Sequence, residues 1–216
     1  MVKLGFPWIT QDPFLFCVYH LDFYPEGNKN YGPNASLRGR NLGNDFKIQD
    51  GFRMYHGTEV PGFPVHPHRG FETVTFVVQG LVDHSDSLGA SGRYGFGDVQ
   101  WMTAGKGLQH AEMFPLLHQN KKNTLELFQI WLNLPAANKF VEPDYKMLWA
   151  EDIPKIVVDN KVQNKVYLEL VAGNYFNIKA PAPATNSWAA NPEHEVAIWQ
   201  ITMDKKANFT VPATKG

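Results

Sequence analysis

Hydrophobic positions in this chain recur in short β-branched and aromatic runs broken by glycine, and residues 50–135 contain no amphipathic-helix spacing of useful length. Phe71-Glu72-Thr73-Val74-Thr75-Phe76-Val77-Val78 ends at Gln79-Gly80, which predicts a strand running into a turn. Leu81 to Asp86 reads as the returning strand, and the glycine-studded stretch 87–98 as a connection. Val99 to Gly105 predicts another short strand. The Gly105-Lys106-Gly107 turn then leads into Leu108–Phe114, and Leu125–Leu134 predicts a long core strand. Residues 26–51, rich in Gly and Asn, read as irregular loop.

Past Leu134 the pattern changes. Residues 135–148 carry two prolines and mixed charge, and predict a connection with a helical turn. Further short strands are expected at 153–159, 165–173, 195–203 and 207–212. The chain is thus expected to be all-β, a barrel or sandwich. Its expected division is a first unit over 1–134 and a linker plus shorter β region over 135–216.

Composition narrows the function classes. Lys and Arg total 20 against 21 Asp and Glu, a formal net charge of -1, which gives no electrostatic reason to expect direct nucleic-acid binding. Hydrophobic residues make up 44% of 216, enough for a packed core. Cys17 is the single cysteine, so no intrachain disulfide forms; it is expected as a small buried hydrophobe. The N-terminal residues lack a signal-peptide pattern, and no run approaches the ~18 apolar residues of a membrane span. A cytoplasmic location is expected.

The candidate chemistry lies in two pairs spaced i, i+2: His66 with His68, and His110 with Glu112. Strand side chains alternate faces, so each pair points one way. Four such groups converging inside a barrel make a metal site. Imidazoles with a carboxylate suit first-row transition metals, non-haem Fe(II) among them, and the lack of a nearby thiolate argues against closed structural zinc. Continuing the parity of His66 and His68 gives Glu72, Val74, Phe76 and Val78, an expected inward face with a second candidate carboxylate. Parity does not choose between Glu72 and Glu112. His20, His56, His84, His118 and His194 are expected to be surface or supporting groups.

The strings His66-Pro67-His68-Arg69-Gly70-Phe71-Glu72-Thr73 and Gly97-Asp98-Val99-Gln100-Trp101-Met102-Thr103-Ala104-Gly105, with His110-x-Glu112-Met113 and Trp131-Leu132-Asn133-Leu134-Pro135, resemble the pirin family of the cupin superfamily. The resemblance implies a cupin barrel (a double-stranded β-helix or jelly roll) over 1–134, followed by an incomplete cupin-like region. Pirins resembling this chain have a full second barrel. The shorter region here implies a fragment, a reduced lid, or strands supplied by another chain, so a homodimer is one expectation. By resemblance the metal ligands are His66, His68, His110 and Glu112, the metal is iron (Fe2+) or another divalent transition metal, and Glu72 has a supporting role.

Two functional classes follow from the resemblance. One is a quercetin 2,3-dioxygenase-like enzyme. It would bind a small aromatic substrate and O2, use Glu112 as general base toward the flavonol 3-hydroxyl, and open the ring with loss of carbon monoxide. Phe71, Phe76, Met113 and Phe114 are its candidate pocket walls. The other class is a non-enzymatic iron-binding regulator acting through protein partners.

Overall fold

The computed structural model describes residues 5–159 and 164–213. The strands are β1 (Phe14–Tyr24), β2 (Gly62–His68), β3 (Phe71–Gln79), β4 (Leu81–Asp86), β5 (Ser91–Gly95), β6 (Val99–Thr103), β7 (Leu108–Met113), β8 (Asn123–Asn133) and β9 (Asp144–Leu148). They form a five-stranded sheet in the order β1-β8-β3-β6-β9 and a four-stranded sheet in the order β2-β7-β4-β5. All pairings within the two sheets are antiparallel. The all-β cupin architecture expected from the sequence is the one observed.

The two sheets close on a core in which Val77, Leu125 and Leu127 of the first meet Val82 and Tyr94 of the second and Phe114 just past β7. The opposite face of the five-stranded sheet is covered as well. There Val74, Phe76, Trp101 and Leu132 pack against Ile153, Val171, Ala172 and Ala184 from the later part of the chain. With the sheet covered on both faces, β3 has no solvent-facing side, and residues 72–77 are all buried.

Beyond β9 lie β10 (Lys155–Asp159), β11 (Lys165–Ala172), a short ribbon of β12 (Asn174–Tyr175) and β13 (Ile178–Lys179), and β14 (Ile198–Met203). Strands β10, β11 and β14 form a three-stranded sheet around Val166, Leu168 and Leu170. Three expectations are corrected. The glycine-studded stretch 87–98 contains a strand, β5, paired with β4. The stretch 135–148 contains, besides a single 3-10 turn at Ala136–Asn138, the strand β9, which joins the first sheet through β6. Residues 207–212 form no strand, although Phe209 packs against the β11 core.

The loop 26–51 is irregular, as its composition implies, but it is tightly held. Arg40, its side chain wholly buried, donates to Asp45 Oδ2 at 2.9 Å and to the Gln49 carbonyl at 2.6 Å, and its guanidinium lies 3.8 Å from the Phe52 ring centroid. That clamp directs Phe46 back toward Tyr55 and Phe63, whose rings it meets at 5.6 and 6.3 Å. Among the described residues no helix is long and apolar enough to cross a membrane.

Candidate metal centre

Adjacent strands bring the two pairs together. In the β2/β7 ladder His66 stands directly opposite His110, and Phe63 opposite Glu112, with a register shift between Phe63 and His66. The approach is close at Gly62: a Cβ there would lie 2.5 Å from the Glu112 carbonyl oxygen, and φ is +133°. Only glycine fits that contact without moving β7.

One ligand atom each from His66, His68 and His110 lies within 4.8 Å of the others. The rings cluster at centroid separations of 4.5 Å (His66 to His110), 4.7 Å (His66 to His68) and 4.8 Å (His68 to His110). His66 Nδ1 sits 2.8 Å from the Pro64 carbonyl, which makes Nδ1 the protonated nitrogen and leaves Nε2 as the electron-pair donor. Burial first, and then the neighbouring imidazoles, push the pKa values of His68 and His110 down to about 3, so both rings are neutral. His110 is 1% exposed and neither ring nitrogen has a hydrogen-bond partner. Leaving two buried polar atoms unpaired costs about 1–3 kcal/mol each, a cost that a bound cation removes for the coordinating nitrogen. The donor set therefore fits a transition-metal ion.

Glu112 approaches from the same strand as His110. Its Oε2 is 3.8 Å from His110 Nε2, while its Oε1 is 3.0 Å from Thr75 Oγ1. Thr75 Oγ1 is also 2.9 Å from Gln129 Oε1. A hydroxyl has one proton, and the charged carboxylate is the stronger acceptor of the two, so Thr75 donates to Glu112.

Glu72 is a different matter, and here parity misleads. The chain leaves the four-stranded sheet after His68, turns at Gly70 (φ +75°) and enters the five-stranded sheet as β3. The alternation of β2 does not carry through that turn. Thr73, Thr75 and Val77 face the barrel interior, while Glu72, Val74 and Phe76 face the outer core. Glu72 is fully buried there. It accepts hydrogen bonds from Trp101 Nε1 (3.0 Å), Thr103 Oγ1 (2.9 Å), Ser187 Oγ (3.0 Å) and the Trp188 amide (3.1 Å). Burial raises its pKa against those four bonds. It ties β3 and β6 to the later part of the chain and takes no part in the histidine cluster.

A cavity of about 490 Å3 opens over the imidazoles, with Thr75, Glu112 and Gln129 in its lining. Its walls are aromatic: Phe46, Phe63, Phe71, Phe114 and Trp131, with Phe71 and Trp131 rings 4.8 Å apart. Of the four expected wall residues, Phe71 and Phe114 line it. Phe76 belongs to the outer core, and Met113 is not among the lining residues.

A pirin family model matches residues 31–132 of the chain. Pirin of Rattus norvegicus is 38% identical over 153 residues, 69% of this chain and 49% of that protein. The chain belongs to the pirin family. Another relative, pirin-like protein 2 of Arabidopsis thaliana, is 41% identical over 69% of this chain and 44% of its own length. The crystal structure of a quercetin 2,3-dioxygenase from Acinetobacter baumannii superposes with a TM-score of 0.58 at 34% identity, covering 80% of this chain and 49% of that one. The chain spans about half the length of the curated relatives it matches.

In this chain, two of the histidines expected as surface or supporting groups have acidic neighbours at strand spacing. His84 Nε2 is 3.0 Å from Asp86 Oδ2, and its ring lies 5.4 Å from that of His110. His20 lines the cavity and is coupled to Asp22 through Tyr55. Both are His-x-Asp pairs, carrying the same i, i+2 signature as the pairs that were singled out.

Proposed function

We propose that this chain is a metal-dependent dioxygenase of the quercetin 2,3-dioxygenase type, cleaving a flavonol or a similar enolisable aromatic. His66, His68, His110 and Glu112 would hold one divalent transition metal, with Fe(II) favoured by three imidazoles and a carboxylate. The observation that carries the reading is His110, buried with both nitrogens unpartnered, beneath an aromatic-walled cavity of about 490 Å3. The likeness to a solved quercetin 2,3-dioxygenase supports the substrate class.

When bound, the metal supplies Lewis acidity and a template that gathers substrate and O2. The protein's own groups do the rest. Glu112 takes up the proton of the substrate's acidic hydroxyl, and the Thr75 hydrogen bond to Oε1 aims the other carboxylate oxygen at the imidazoles. Phe71 and Trp131 fix the plane of the flat substrate. Phe46, carried by the clamped loop, keeps water from the reacting centre.

The test is direct. Protein reconstituted anaerobically with Fe(II) is mixed with quercetin in air, and flavonol absorbance and carbon monoxide are followed. Turnover supports the oxygenase. Stoichiometric metal binding with no turnover for Fe(II), Mn(II), Co(II), Ni(II) or Cu(II) overturns it in favour of a metal-binding regulator.

A further inference from the structure

Among the polar side chains that line the cavity away from the four metal-site residues (His20, His56, Arg69, Thr75 and Gln129), His20 is the one held by a buried relay through Tyr55 to Asp22. His20, on β1, is 3% exposed and lines the cavity beside Phe6 and Phe63, whose rings lie 5.4 and 6.2 Å from its own. Its Nδ1 is 2.7 Å from Tyr55 Oη. Tyr55 Oη is in turn 2.6 Å from Asp22 Oδ2. The direction of these bonds is forced. A carboxylate only accepts, so the tyrosine's single proton goes to Asp22 and its oxygen accepts from His20 Nδ1–H. The remaining ring nitrogen, Nε2, then carries a lone pair and no proton.

Asp22 is itself immobile. Arg53 donates to it from Nε at 2.9 Å, from a terminal nitrogen at 3.0 Å and from the backbone amide at 2.8 Å. Three buried residues, Tyr55, Asp22 and Arg53, thus fix one imidazole in one tautomer on the wall of the cavity, more than packing alone requires.

Resting on the flavonol reading above, we propose that His20 is a specificity-determining residue, whose Nε2 accepts a hydrogen bond from a neutral phenolic hydroxyl of the ligand remote from its metal-chelating pair. The neutral class follows from charge. Burial, and then the Arg53 guanidinium, hold the His20 pKa down to about 3, so the ring offers an acceptor and no cation for a carboxylate. An apolar aromatic lacking the hydroxyl would leave that acceptor dry and unpaired. Sites built to bond a hydroxyl discriminate strongly for that reason.

The experiment compares binding of 3-hydroxyflavone, which keeps only the chelating pair, with binding of quercetin, which adds ring hydroxyls. Both are titrated anaerobically into the metal-loaded protein, with metal content measured for every variant. The wild type is expected to favour quercetin by roughly tenfold or more. His20→Phe should bring the ratio close to one by weakening quercetin alone. Tyr55→Phe, which keeps the ring but removes the tautomer lock, should narrow it partway and serves also if His20→Phe does not fold. An unchanged ratio in a folded variant, or an equal loss for both ligands, overturns the assignment. Equal binding of both ligands by the wild type overturns it alone, whereas binding of neither overturns the flavonol reading as well.

Discussion

Thr75 Oγ1 lies 3.0 Å from Glu112 Oε1, joining the five-stranded sheet to the strand that carries His110. The bond occupies one carboxylate oxygen and leaves Oε2 for the imidazole cluster. Thr75→Val keeps the shape and removes the donor. Metal affinity, measured by competition with a chelator, is expected to fall roughly 10- to 100-fold with little change in far-UV circular dichroism. Unchanged affinity would show that Glu112 needs no orienting partner.

The two candidate carboxylates should separate in a metal assay. Glu112→Ala is expected to abolish stoichiometric binding. Glu72→Ala should retain the metal in its folded fraction and lose stability instead, by about 2–4 kcal/mol, because four buried donors lose their acceptor. Metal analysis alongside urea unfolding reads both quantities, and the opposite ordering would refute the placement of Glu72 outside the site.

Acid should destabilise the metal-free protein through its buried imidazoles. His20, His68 and His110 are held to about 3 in the folded state against an ordinary value of 6.5. Between those limits the unfolded chain binds more protons than the folded one, so stability falls as pH drops below about 6.5 and levels off only near 3. Bound metal keeps the same rings unprotonated, so the loaded protein should show a similar fall from a higher starting stability. Urea midpoints at a series of pH values, with and without metal, check this. A flat profile for the metal-free protein from pH 7 to 5 would contradict it.

Gly62→Ala tests the close approach of β2 to β7. The added methyl meets the Glu112 carbonyl, and the φ of +133° is unfavourable for any other residue. A loss of about 1–3 kcal/mol is expected, together with weakened metal binding, because the shift would part His66 from its cross-strand partner His110. A thermal melt and a chelator titration measure the two effects.

Much of the fold was readable in the residues. The strands around 71–79, 81–86, 99–103, 108–113 and 123–133 follow from β-branched and aromatic runs between glycines, which are local signals. Strand β9 was not readable, because Asp144-Tyr145-Lys146 is polar and exposed and its pairing with β6 is a tertiary choice. The histidine cluster was visible because i, i+2 spacing survives within one strand. The face of β3 was not, since one left-handed residue at Gly70 moves the chain to another sheet and cancels the alternation counted from His68. His20-x-Asp22 carried the right spacing, but its link runs through Tyr55, which lies 33 residues beyond Asp22 and belongs to no strand of either sheet.

The five-stranded sheet has tightly packed neighbours on both sides, and this bears on how guests reach the chamber. The wall bearing Thr75 is pinned from behind by Trp101, Ser187 and Trp188, so it cannot swing outward without dismantling a second core. The rim is set by Phe46, held by the strap that Arg40 fastens. With back wall and strap both anchored, guests meet a chamber that is already formed.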